Sequence, residues 1–101
     1  VTPIPLKLRE ELSKDPFMQV CIMPGCGSKK VEWHHPFLYM GKRLNARWSI
    51  VPACYKHHRG GHLDMDYTRY VALQRATDEE LAKYPRVDWK QLRSYLDAKY
   101  S

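Results

Sequence analysis

Apolar residues change their spacing along this 101-residue chain, and each change marks an element. Leu6, Leu8 and Leu12 predict a short helix over Pro5–Ser13, ended by Asp15-Pro16. Between Cys21 and Gly27 a Pro-Gly pair and a second glycine predict a tight turn that carries two cysteines. Val31-Glu32-Trp33 predicts a strand and Trp48-Ser49-Ile50-Val51 its partner, with a basic loop centred on Gly41 between them. A short helix is expected from Ala53 or Cys54, ended or distorted by Gly60 and Gly61. Asp66 is expected to cap a helix through about Arg75, where Tyr67, Tyr70, Val71 and Gln74 recur at helical spacing. Thr77-Asp78-Glu79-Glu80 is a capping-box pattern for a helix that stops near Tyr84-Pro85. Asp88 is expected to cap a last helix with Trp89, Leu92, Tyr95 and Leu96 on one face.

No repeat, low-complexity tract or linker divides the chain, so a single domain is expected over 1–101. Its motif core spans about 20–65 and its helical support about 66–101. A domain this short buries only part of its surface, so a metal staple would help it. An apolar content of 44% with 12% aromatics argues against a disordered tail. No apolar run approaches a membrane span, and prolines 3 and 5 with Lys7 do not suit a secretory signal. The chain starts at Val1 rather than Met, so flanking residues are expected to be missing. The net charge of +6 is concentrated. Between Lys29 and Arg59 lie seven basic residues (Lys29, Lys30, Lys42, Arg43, Arg47, Lys56, Arg59) and one acid, Glu32, and the remainder is neutral. That is the pattern of a polyanion-binding centre on a neutral scaffold.

Three cysteines are an odd number that closed disulfides do not use up; with five histidines they point to metal ligation in a reducing compartment. Cys21-x4-Cys26 spans the Pro-Gly turn, which can point both sulfurs inward, and Cys54-x2-His57 forms a second knuckle. Together they make a closed Cys3His set of the kind that holds structural Zn2+ in a tetrahedron. His34, His58 and His62 can form a second set. His58 and His62 are spaced one helical turn apart, and three imidazoles on a divalent metal leave positions open for water or phosphate. The partition stays open: Cys54-x3-His58 is also feasible and would send His57 to the second metal, although the commoner knuckle favours His57. His35 follows His34 directly. Strand neighbours face opposite sides, so both serve one site only where the strand bends, and Pro36 would help end regular pairing there. A histidine beside a metal but not bound to it can take a proton from an attacking water. Trp33 and Trp48 flank the hairpin and are expected in the core rather than stacked on bases.

The run His34-His35-Pro36, followed after the basic loop by Ser49-Ile50-Val51-Pro52-Ala53-Cys54-x-x-His57-His58-x-x-x-His62, resembles the His-Asn-His (HNH) nuclease family over about residues 20–65. The resemblance implies an α+β fold: a ββα-metal core, made of a hairpin and a helix around one catalytic metal. A zinc of two Cys/His knuckles would brace that core, with N- and C-terminal helices flanking it. It implies His34, His58 and His62 as ligands of a catalytic Mg2+, Mn2+, Ni2+ or Zn2+, and His35 as general base. In the family an Asn orients the general-base loop by hydrogen bonding, from a place on the second strand shortly before the Cys. This chain has Ser49 there and Asn45 in the loop before it, and both are candidates for the role. Small free-standing proteins of this type often belong to phages or prophages, which implies a cytoplasmic location in a bacterial or phage-infected cell.

The reaction implied is metal-dependent hydrolysis of DNA phosphodiester bonds leaving 5′-phosphate ends, with RNA as the other substrate class. Lys42, Arg43, Arg47 and Arg59 are candidates to hold flanking phosphates. One alternative is a zinc-stapled nucleic-acid-binding module without catalysis, and another is a zinc-stapled protein-interaction domain. No membrane partner is expected, and a homodimer is compatible with the sequence.

Overall fold

In the computed structural model, which describes residues 3–61 and 63–100, the chain begins with helix α1 (Leu6–Ser13). Pro5 stands at its N-cap, because a ring-fixed φ suits a first turn that needs no N–H. Leu12 is buried and Leu8 half-buried, but Leu6 turns outward with 71% of its surface exposed, so the apolar stripe is narrower than its leucines predict. Asp15 accepts from the Phe17 N–H at 3.0 Å and opens a 3-10 turn over Pro16–Gln19. The cysteine turn follows, with Gly25 at φ +78° and Gly27 at +67°, angles that side chains resist.

Strand β1 (Val31–His34) leads into a small hairpin of β2 (Leu38–Tyr39) and β3 (Lys42–Arg43) inside the basic loop, where the residue pattern predicts no strands. Strand β4 (Val51–Cys54) returns antiparallel to β1, pairing Val31 with Cys54, Glu32 with Ala53, Trp33 with Pro52 and His34 with Val51. The predicted partner strand at Trp48–Val51 is therefore displaced toward the C-terminus. Trp48 and Ser49 belong instead to a turn closed by the Ser49 N–H on the Ala46 carbonyl at 3.0 Å. Pro52 is tolerated in β4 because its missing donor faces no neighbouring strand, while its carbonyl accepts from the Ile22 N–H at 2.9 Å. Helix α2 (Tyr55–Arg59) starts where β4 ends and stops at Gly60, so it ends before position 62.

Three further helices close the domain: α3 (Met65–Arg75), α4 (Asp78–Ala82) and α5 (Trp89–Tyr100). The cap of α3 is Asp64, which accepts from the Tyr67 N–H at 3.1 Å, and not Asp66. Asp66 lies inside the helix and accepts from Lys99 and the Tyr95 hydroxyl of α5. The capping box at Thr77 and Glu80 is present, and Asp88 accepts from the Gln91 N–H as predicted. On α5, Trp89 and Leu96 are buried while Tyr95 is 55% exposed, so Tyr95 leaves the apolar face and serves the Asp66 contact. Trp48, Phe37 and Trp89 meet with ring centroids 5.5–5.8 Å apart, and Leu44, Val51, Ala72, Leu73, Leu81 and Leu96 fill in around them. Edge-to-face ring pairs add roughly 0.5–1.5 kcal/mol each beyond burial, so this aromatic cluster anchors the helical support to the β1–β4 unit. Trp33 is half-buried against the second cluster of Leu12, Met18 and Ile50. The domain is α+β, with two small antiparallel sheets and five helices among the described residues. No described helix is long and apolar enough to cross a membrane.

Candidate metal centre and histidine cluster

The ligand atoms of Cys21, Cys26, Cys54 and His57 all lie within 4.8 Å of one another. Each knuckle is fixed locally. The Cys21 N–H donates to the Ser28 carbonyl at 2.8 Å and the Cys26 N–H to Met23 at 3.2 Å, which curls the first knuckle back on itself. The second straddles the β4–α2 junction, where the helical turn from Cys54 brings His57 back over the thiol. Zinc bonds of about 2.3 Å to sulfur and 2.0–2.1 Å to nitrogen require tetrahedron edges of roughly 3.5–3.8 Å. Cys26 Sγ to Cys54 Sγ is 3.7 Å and Cys21 Sγ to His57 Nδ1 is 3.6 Å, while Cys54 Sγ to His57 Nδ1 is shorter at 3.1 Å. All three cysteines are free. The His57 backbone N–H, helped by the imidazole and the other thiols and opposed by burial, brings Cys54 down to about 6. Burial pushes Cys21 the other way. Three cysteines and a histidine this close, with one sulfur readily ionised, fit a structural zinc.

His58 points to a different place from its neighbour. Adjacent helical residues are rotated by about 100°, and while His57 joins the cysteines, His58 meets β1. The two-residue period of β1 puts Glu32 and His34 on one face. His58 Nδ1 pairs with Glu32 Oε1 at 3.1 Å, and its ring meets the His34 ring edge-on with centroids 5.1 Å apart. Glu32 also accepts two bonds from Arg59, at 3.1 and 2.6 Å. Hydrogen bonds from Arg59 first and His58 second hold its carboxyl below the usual range. The Nε2 atom of His34 is buried and has no hydrogen-bond partner among the described residues. Burial, then the nearby His58 and His35, pushes His34 down to about 4, so its ring is neutral and has a lone pair to offer. An orphaned imidazole nitrogen beside a carboxylate-oriented histidine suits a divalent cation. The remaining ligand candidate, His62, lies outside the described residues.

His35 lies just beyond the end of β1. Pro36 follows it, and Arg69 of α3 donates to the Pro36 carbonyl at 3.0 Å, fixing the chain just beyond. Its Nε2 is 2.8 Å from Asn45 Oδ1. The Asn45 amide is oriented from its other side, where Nδ2 donates to the Pro3 carbonyl at 3.1 Å. Ser49 does not reach His35. It is fully buried, donates to the Leu44 carbonyl at 2.6 Å and accepts from the Ala46 N–H at 2.9 Å, so it pins both neighbours of Asn45. Of the two candidates to hydrogen-bond His35, Asn45 makes the contact and Ser49 shapes the loop that delivers it. Burial foremost, then the charge of Arg43, lowers the His35 pKa against the opposing Asn45 bond.

Trp33, His34, His35, Arg43 and His58 line a hollow of about 280 Å3. The four basic candidates divide around it. Lys42 and Arg43 are exposed on β3, with Arg43 at the rim, and Arg59 stands next to the cluster through Glu32. Arg47 is committed elsewhere: it donates to the Arg75 carbonyl and to Glu80, both at 2.7 Å, and joins the loop to the α3–α4 junction. Sequence reasoning missed Glu32, although Glu-x-His on a strand next to a helix histidine is a usable signal. It also missed the Pro3 carbonyl, for which the chain offers none. No family model, no curated protein and no solved structure matches this chain.

Proposed function

We propose that the chain is an HNH-type endonuclease that hydrolyses DNA phosphodiester bonds with His35 as general base and a zinc at Cys21, Cys26, Cys54 and His57 as its brace. The observation that carries this reading is the His35–Asn45 hydrogen bond beside the orphaned Nε2 of His34. Because the Asn45 amide donates to Pro3, its Oδ1 faces His35, and that oxygen can only accept. His35 therefore carries its proton on Nε2 and keeps the lone pair on Nδ1, the atom that takes a proton from an in-line water. A divalent ion held by His34 and His58, with His62 completing the set, would polarise a phosphoryl oxygen and stabilise the departing 3′ oxygen. Glu32 accepts from His58 and so sets which imidazole nitrogen is left for that ion. Arg43 at the rim, with Lys42, holds the flanking phosphates. The products would be 5′-phosphate ends.

The direct test is cutting of supercoiled plasmid by purified protein with Mg2+, Mn2+ or Ni2+. Wild type is expected to nick and linearise it, and His35→Ala to stop cutting while DNA binding and melting temperature stay unchanged. If wild type cuts no form of DNA or RNA with any of these ions yet binds DNA with a steep salt dependence, the protein is a non-catalytic zinc-stapled binding module.

A further inference from the structure

The β2–β3 hairpin carries a feature that phosphate binding does not use. Leu38 near its base is 69% exposed and Met40 at its turn is 67% exposed, so two large apolar side chains stand out from it. Met40 has φ +53° and Gly41 +80°, both positive as in a type I′ turn, whose ordinary residues are Asn, Asp and Gly. Among the described residues Met40 is the only non-glycine with positive φ, a conformation that a long side chain adopts at a cost. The tip is nevertheless braced. The Tyr39 ring meets Tyr84 edge-on at 5.1 Å and its hydroxyl accepts from the Arg86 N–H at 3.2 Å, while the Leu44 N–H closes the hairpin base on Phe37 at 3.1 Å. Lys42 and Arg43 make no ion pair among the described residues. Leu38 is paired directly with Arg43, which also lines the histidine hollow, so the hairpin adjoins the candidate site.

A braced apolar point next to the cations of β3 gains nothing from water. It gains from a polyanion with an apolar interior, and the segment Lys29–Arg59, which holds the whole net charge, selects one. We propose that Met40, backed by Leu38, is a wedge that enters the base stack of duplex DNA while Lys42 and Arg43 hold the adjoining phosphates. Proteins that kink DNA insert Leu, Ile, Met or Phe between base steps in this way. The proposal rests on the nuclease reading and adds its substrate class: duplex DNA bent at the cut, with DNA that already carries a bulge or mismatch requiring less deformation.

Met40→Gly tests it, because glycine is at ease with this φ and the fold is retained, as zinc content and melting would verify. The probe is a short duplex with 2-aminopurine in the stack, perfect or with a single-base bulge, bound in the His35→Ala background. Fluorescence is expected to rise with Met40 present and to stay flat with Met40→Gly. In the active background, Met40→Gly is expected to slow cutting of the perfect duplex by about tenfold and of the bulged duplex by no more than about twofold. A fluorescence rise independent of Met40, no rise at all, or equal slowing on both duplexes would overturn the wedge. A Met40-dependent rise from a protein that never cuts would sustain the wedge and sink the nuclease reading instead.

Discussion

Replacing Ser49 by alanine separates the loop that delivers Asn45 from the His35 contact itself. The hydroxyl is fully buried, at 2.6 Å from the Leu44 carbonyl and 2.9 Å from the Ala46 N–H. Ser49→Ala leaves both backbone groups without that partner. Each unsatisfied buried group costs about 1–3 kcal/mol, and the Ala46 N–H, nearer the surface, counts toward the lower end, so the loss is about 2–4 kcal/mol. In a domain of roughly 100 residues each kcal/mol moves the melting temperature by about 4–8 °C, so a fall of about 10 °C or more is expected. Asn45→Ala is the matched control. Asn45 is half-exposed, its partners can turn to water, and a loss near 1 kcal/mol follows. Melting followed by circular dichroism at fixed zinc measures stability, and plasmid cutting measures function. Both variants should lose cutting, Asn45→Ala with its fold nearly as stable as before and Ser49→Ala only with a large loss of stability. A Ser49→Ala melt within about 2 °C of wild type would refute the claim that this hydroxyl holds the loop.

Three other outcomes follow from the geometry. Cys26→Ala, or a chelator, should remove one equivalent of zinc by elemental analysis and unfold the domain at room temperature, because site and fold form together. Lys42→Ala and Arg43→Ala should each reduce the slope of log affinity against log salt by about one, whereas Arg47→Ala should lower the melting temperature and leave that slope unchanged. Stability should fall in acid through Asp15 and Glu80. Burial acts to raise both pKa values, but the Arg75 bond and the Phe17 N–H outweigh it at Asp15, and Arg47 and the Thr77 N–H outweigh it at Glu80, so both end below the ordinary range. Their contribution is complete above about pH 4–5 and is lost as pH drops through the depressed folded values. Asp15→Asn should therefore flatten the acid limb of a melting series, and an unchanged limb would exclude the Asp15–Arg75 pair as a source.

What the sequence revealed was whatever depends on near neighbours. The Thr77–Glu80 capping box, the Asp88 cap and both cysteine knuckles are local, with partners a few positions apart, and they form as the spacing requires. Boundaries decided by distant packing differ from those the spacing predicts. The apolar run predicts a second strand from Trp48, but the aromatic cluster takes Trp48 into a turn and pairing begins only at Val51. The α3 cap falls on Asp64 rather than Asp66, and both carboxylates are held from α5, Asp64 by the Tyr100 hydroxyl and Asp66 by Lys99 and Tyr95, some thirty positions away. The hairpin at Leu38–Arg43 is too short for its alternation to register. Asn45 meets His35 because the loop folds back, a consequence of Ser49 and Pro3 that no spacing rule contains.

His57 and His58 are consecutive, yet one joins the cysteines and the other faces Glu32 and His34. The angular step of the helix, about 100° per residue, is thus the device that separates the two groups. One residue added or lost between Cys54 and His58 would turn the wrong imidazole toward each, disabling both at a stroke. The stretch from β4 into α2 therefore has no freedom of length. In any set of variants of this chain, insertions should be absent from the five residues from Cys54 to His58 inclusive.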